Sequence, residues 1–355
     1  MHFPPAFILV ITLIPMGSIY CTAHAEDDGA RLYTTREEKR EAGIKHRIFP
    51  WFVASGLAEF EWQWQRFGLD HPDHSDVSDN ASANIQGGFF ITPIDWIKSE
   101  IITEYDTDTN EFIVDEAEIA VDYGPWEIAG GKMYLPFGVY FSHFATGPIV
   151  EVGETQATSA SIAYNHLDKL DISVAVYRGK AHKSGSSGRL DWSAGIEAWP
   201  SHQLGLGISF ISDLADSNQR LLEEHQHRYT NKVPALSGYL LWAAENYEIS
   251  LELLGALETF DELDSDRDQP FAANLEFTHY VTPKIDWSVR IEGSSELEDA
   301  PELQAGLAFN YKILKNVFIT VEGLHGYFRD SLAANEAGDD YESVTTFGAL
   351  LSVGF

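Results

Sequence analysis

Carboxylates recur at even spacings along the chain: Glu100 with Glu104, Glu116 and Glu118 with Asp122, Glu248 with Glu252, and Glu276, Glu292 and Glu322 between apolar neighbours. Even spacing places each set on one face of an extended strand. Their summed field draws cations toward whatever space that face lines. Arg290 and Lys132 are among the few counter-charges. Histidines cluster twice among acids, in "DHPDHSD" (Asp70 to Asp76) and "EEHQHR" (Glu223 to Arg228). Imidazole with carboxylate suits a divalent ion, but the spacing fits no defined site, and both clusters read as solvated loops. Ser142 and His143 are adjacent, which does not by itself make a nucleophile and its base. No Gly-x-Ser-x-Gly elbow, Walker loop or His-Glu-x-x-His occurs in the sequence. The residues therefore predict neither a catalytic centre nor a bound cofactor or metal. They predict a charged surface past which something moves.

The elements carrying those charges alternate with period two. In the segment from Phe49 to Trp64, Phe52, Ala54, Gly56, Ala58, Phe60, Trp62 and Trp64 share one face, and Glu59, Glu61 and Gln63 share the other. Tyr247, Ile249, Leu251, Leu253, Gly255 and Leu257 likewise oppose Glu248, Ser250, Glu252, Leu254, Ala256 and Glu258. Such alternation marks half-buried strands. Sixteen segments can be read, starting near Phe49, Ala81, Asp95, Glu111, Pro125, Thr158, Lys169, Arg189, His202, Ala235, Tyr247, Phe271, Ile285, Glu302, Asn316 and Ser343. Short connectors such as "TPID", "GP" and "AEN" alternate with longer polar ones such as "GKAHKSGSSG" and "FRDSLAANEAGDDYES". An even strand number, tight turns at one end and long loops at the other predict an all-β fold, a transmembrane antiparallel β-barrel of about sixteen strands. Lipid would cover the apolar face, and the lumen would carry Glu100, Glu104, Glu116, Glu118, Asp122, Glu248, Glu252, Arg290 and Glu292.

Bulk properties agree. The chain has 355 residues, with 23 Lys plus Arg against 55 Asp plus Glu and a formal charge of -32. That balance excludes nucleic acid as a partner, since phosphate would be repelled. Residues 1–25 read as a secretory signal, with an apolar run "AFILVITLIPM" and an "AHA" cleavage site. Cleavage there would remove Cys21, the single cysteine. Residues 26–47 read as a short periplasmic segment and 48–355 as the barrel.

The last eleven residues, "TTFGALLSVGF", place Phe347, Leu351, Val353 and the terminal Phe355 on one face. This resembles the C-terminal signal that the β-barrel assembly machinery of Gram-negative bacteria reads, which implies that machinery as a partner and the outer membrane as the location. Between the fifth and sixth segments, Pro136 to Thr155 is too apolar for a solvated loop. Pro136, Gly138, Gly147 and Pro148 supply bends. The stretch is expected to fold into the barrel as a constriction loop, 136–157. Here "GGKMYLPFG" followed by "GPIVEVGET" is similar to elements of the LbtU family of siderophore porins. The match covers about 25 residues, Gly130 to Thr155, and carries over Lys132, Pro136, Phe137, Gly138, Gly153, Glu154 and Thr155. Glu151 lies within it and joins the expected solute path. Gly147-Pro148 departs from the family, where an acidic residue is expected before the proline, and the segment before the first strand is shorter than in many members. The resemblance implies a porin passing a ferric siderophore or similar hydrophilic iron complex by diffusion. A general cation-selective porin is the alternative from the charge pattern, and an outer-membrane barrel enzyme using Ser142 or His143 is a more distant one.

Overall fold

A computed structural model describes residues 45–69, 75–107, 110–167, 169–179, 181, 190–218, 231–261, 263, 268–329, 333–334 and 340–355. The signal-peptide reading, most of the periplasmic segment and the cluster at Glu223 to Arg228 lie outside these residues.

The strands are β1 His46–Phe49, β2 Phe52–Leu69, β3 Ser75–Ile94, β4 Ile97–Asp106, β5 Glu111–Tyr123 and β6 Trp126–Tyr134, followed by β7 Gln156–His166, β8 Leu170–Arg178, β9 Leu190–Ser201, β10 Leu204–Ile211, β11 Ala235–Ala243 and β12 Tyr247–Ala256. The chain closes with β13 Phe271–Thr282, β14 Ile285–Ser295, β15 Leu303–Leu314, β16 Val317–Tyr327 and β17 Tyr341–Gly354. Each strand from β2 onward pairs antiparallel with the next, and β17 pairs with β2 from Tyr341 opposite Leu69 to Gly354 opposite Leu57. Sixteen strands thus form a closed barrel, and β1 is a short addition that pairs with the base of β2. Closure is what a bilayer demands, because an open edge would leave backbone groups unpaired in hydrocarbon.

Fifteen of the sixteen barrel strands start within three residues of the positions read from the alternation. The exception is β3, which begins at Ser75 rather than near Ala81. Its first part, "SDVSDN", pairs with Gln63 to Gly68 of β2 but carries polar residues on both faces. A strand standing above the bilayer has no lipid side, so the alternation that betrays the other strands is missing there. Asp76 of the first histidine cluster therefore sits in a strand.

The outer face is apolar and exposed: Phe60 is 51% exposed, Ile119 58%, Ile128 57% and Leu307 55%. Aromatic contacts gather toward both strand ends, with Phe49–Trp51, Trp126–Tyr164 and Trp242–Tyr247 near the short turns and Trp192–Phe210 and Trp64–Phe347 toward the long loops. An apolar band between aromatic girdles matches a bilayer with its two interfaces. The terminal residue completes the base of the seam. Phe355 and Gly56 exchange backbone hydrogen bonds, each N–H donating to the other's carbonyl at 2.8 Å. The Phe355 ring lies where a side chain on Gly56 would fall, 2.3 Å from an ideal Cβ.

Candidate functional site

The connection from β6 to β7 runs from Leu135 to Thr155, and Gln156 and Ala157 belong to β7. It turns into the barrel. Its tip reaches β14, which lies eight strands from β6 around the ring of sixteen, so the loop crosses to the far wall. Four carboxylates of the inner wall receive it. Glu252 on β12 accepts the backbone N–H groups of Val139 and Tyr140 at 2.9 and 2.8 Å. Glu276 on β13 accepts the N–H of His143 at 2.7 Å and the Ser142 hydroxyl at 2.9 Å. Glu322 on β16 accepts the N–H of Ala145 at 2.6 Å and that of Thr146 at 3.2 Å. Glu292 on β14 accepts the N–H of Ile149 at 2.7 Å. An irregular loop inside a barrel leaves backbone donors without sheet partners, and each would cost free energy if buried unmet. The strand carboxylates meet them with charge-assisted bonds, the stronger class.

Arg290 on β14 returns the opposite polarity. Fully buried, it donates from Nη1 to the carbonyl of Thr146 at 2.8 Å, and its Nε lies 2.9 Å from Glu292. Its guanidinium also sits 4.3 Å over the ring of Phe144, a cation–π contact. Asn310 on β15 donates to the carbonyl of His143 at 3.1 Å. His143 itself bridges Glu276, 2.9 Å from Nδ1, and the Tyr280 hydroxyl, 3.2 Å from Nε2. Tyr280 continues to Glu248 at 3.3 Å.

The loop's apolar residues face the other way. Leu135, Phe137, Tyr140, Val150 and Val152 are buried in one cluster with Tyr177, Ile211, Leu214, Val233, Leu254 and Phe260 from β8 to the region after β12. That cluster is a hydrophobic core inside a membrane barrel, and the loop is packed against the wall with no ribbon-like exposure. Gly138 has φ of +71°, a left-handed conformation suited to glycine, and its N–H donates to Ser209 on β10 at 2.9 Å. Gly153 admits no side chain, since a Cβ there would stand 2.2 Å from Leu254. Pro136 precedes the buried Phe137 at the entry bend, and the buried Thr155 closes the exit, its hydroxyl donating to the Gly153 carbonyl at 3.0 Å. Glu154 accepts at its carbonyl from the N–H of Asn218, 2.7 Å away, and the Asn218 amide oxygen accepts from the N–H of Gln156 at 2.9 Å. Glu151 is buried beside Gly147, where an added Cβ would collide with its carboxylate.

The remaining site residues are placed as follows. Glu104 is buried on the inner face of β4 and takes the side-chain amides of Asn84 and Gln86 at 2.7 and 3.3 Å. Glu100 and Glu118 stand opposite each other in the β4–β5 register, both half-buried. Asp122 lies 2.5 Å from Lys98. Glu116 follows an irregularity in β5 that turns both Asp115 and Glu116 inward and buried; a bulge re-aims a side chain in this way. Lys132 is separated from the others. It shares its face of β6 with the exposed Ile128, pairs with Ala117 and Thr158, and donates to the Val114 carbonyl at 2.8 Å. It is on the outer wall, not on the path through the lumen.

From the sequence, Glu276 and Glu322 count only toward the acidic lining that draws cations, and Asn310 and Thr146 have no role. Their even spacing was legible, but their loop partners lie more than 130 residues away in the chain. Ser142 and His143 both bond the same carboxylate, that of Glu276.

Solved structures share this architecture. The outer-membrane channel DcaP of Acinetobacter baumannii superposes with a TM-score of 0.58 at 13% identity, over 88% of this chain and 99% of that one. An anion-selective porin from Comamonas acidovorans gives 0.64 at 8% identity, over 86% and 99%. Salmonella typhi OmpF, in complex with daunomycin, gives 0.60 at 10%, over 86% and 97%. The fold is that of the outer-membrane porins. With its apolar band and closed wall, the chain is a barrel of the outer membrane. No family model matches the chain. A UPF0422 protein of Coxiella burnetii (strain RSA 493 / Nine Mile phase I) is 26% identical over an alignment of 245 residues that covers 63% of this chain. The chain spans about half the length, 51%, of that curated relative.

Proposed function

We propose that this porin-fold barrel passes a small hydrophilic solute across the outer membrane by facilitated diffusion, and that the solute is a ferric siderophore or similar iron complex. The observation that carries the channel reading is the loop itself: Leu135–Thr155 crosses the lumen and is fastened to the far wall by Glu252, Glu276, Glu292 and Glu322. A fixed crossing narrows a pore without chemistry, and selection then follows from size and wall charge. The iron-complex reading rests on the similarity of Gly130–Thr155 to siderophore porins. On it, Pro136, Phe137, Gly138, Gly153 and Thr155 shape the constriction, and Glu151 and Glu154 hold its second half. The half-buried pair Glu100 and Glu118, facing each other on the inner wall, favours neutral or cationic complexes over anionic ones and equally supports a general cation-selective porin. Export by way of residues 1–25, a periplasmic place for the residues before β1 and recognition of Phe355 by the assembly machinery complete the reading.

The test is single-channel conductance of the refolded chain in a planar bilayer, with a neutral ferric trihydroxamate on one side. Stepwise conductance with concentration-dependent blocking by the ferric complex, and no blocking by the iron-free ligand, is expected. Conductance indifferent to the complex leaves a general cation porin, and absence of conductance overturns the channel reading.

A further inference from the structure

At the long-loop end of the barrel, away from the loop's anchors on β12 to β16, three aspartates converge. Asp191 begins the inner face of β9, Asp213 caps a short 3-10 turn after β10, Leu214–Asp216, and Asp216 ends it. One carboxylate oxygen from each lies within 4.8 Å of the others. Asp191 is 1% exposed and Asp213 0%. Charges this deeply placed are costly unless matched. Lys232 pairs with Oδ1 of Asp191, which also accepts from Ser212 at 3.2 Å. Asp213 accepts from the N–H groups of Ala215 and Val233, both at 3.3 Å, and Asp216 from that of Ala181 at 2.8 Å.

A further observation points to a ligand. The second oxygen of Asp191, Oδ2, is buried and has no hydrogen-bond partner among the described residues. The side chain of Tyr177 on β8, 1% exposed, lies in the field of the same three carboxylates. An all-oxygen donor set of this kind selects a hard cation over zinc or copper. Calcium–oxygen distances of about 2.3–2.6 Å put ligands on opposite sides of the ion roughly 4.6–5.2 Å apart, whereas magnesium, at about 2.0–2.1 Å, holds them closer. Three oxygens all within 4.8 Å of one another are close enough to share one ion of calcium's size.

We infer that Asp191, Asp213 and Asp216 form a calcium site that ties the start of β9 to the β10–β11 connection. The site has a consequence for the constriction. The 3-10 turn leads within two residues to Asn218, which grips Glu154 and Gln156 at the exit of the lumen loop. An ion holding Asp213 and Asp216 therefore steadies one end of that loop through backbone.

The test uses the full chain refolded in detergent, stripped with EDTA and titrated with terbium, whose luminescence is excited through nearby Tyr177 and other aromatic residues. A saturable site of one equivalent, displaced by calcium and less readily by magnesium, is expected. Asp191→Asn and Asp216→Asn should each weaken binding at least tenfold while the barrel stays folded by its heat-dependent gel mobility. If one variant fails to fold, the other decides. Wild-type protein with no saturable site, or folded variants that bind as the wild type does, overturns the inference.

Discussion

Replacing Glu252 with alanine removes the two acceptor oxygens that hold the N–H groups of Val139 and Tyr140, at 2.9 and 2.8 Å, the first of which also takes the Ser237 hydroxyl at 3.3 Å. Both backbone donors are buried. A buried donor stripped of its partner costs about 1–3 kcal/mol, so the two together cost about 2–6 kcal/mol in the docked state. An undocked loop meets water and escapes that cost, so the docking equilibrium shifts by the same amount. At about 1.4 kcal/mol per tenfold, the undocked population rises by roughly 30-fold to 20,000-fold. Single-channel recording reads this directly, as added high-conductance openings in Glu252→Ala that are rare in the wild type. Glu252→Gln keeps one acceptor oxygen and should fall between the two. Glu118→Gln is the control: it sits on the inner face of β5, across the register from Glu100 and Gly131, and should alter cation preference without adding openings. If Glu252→Ala folds and its conductance and noise match the wild type, the carboxylates do not hold the loop and the argument fails.

Two other outcomes follow from the same geometry. Arg290→Met removes the cation that lies 2.9 Å from buried Glu292 and donates to the Thr146 carbonyl, so unfolding in urea should show a loss of about 3–5 kcal/mol, the range for breaking a buried pair from one side. Gly56→Leu should slow assembly and lower thermal stability, because its side chain claims the space of the Phe355 ring; Gly56→Leu combined with Phe355→Ala should regain part of the stability, and no regain would show that the ring does not pack there.

The sequence determined the barrel. Alternation decides which side of a strand meets lipid, and a one-residue slip would turn every side chain over, so the pattern of β12 or β14 leaves one register open. The rhythm of short and long connectors gave the strand number and the two ends. It failed at Ser75 to Asn80, where β3 stands above the bilayer and no apolar face is needed. The loop was legible as apolar and bent, because Phe137, Val150 and Val152 in a run with Gly138 and Pro148 cannot remain in water.

What the sequence left undecided was pairing. Glu252, Glu276, Glu292 and Glu322 read as an acidic lining that attracts cations, and only the folded chain shows that each is occupied by loop N–H groups. A backbone donor has no letter in the sequence, so no spacing of residues can announce that a glutamate will accept it. Lys132 was assigned by motif to the solute path, yet the β6 register turns it outward beside Ile128. The cluster of Asp191, Asp213 and Asp216 left no mark at all, since its members come from different elements and meet only when the sheet closes. Period and hydrophobicity are local and survive in one dimension. Neighbours across a lumen are set by closure, and closure exists only in three.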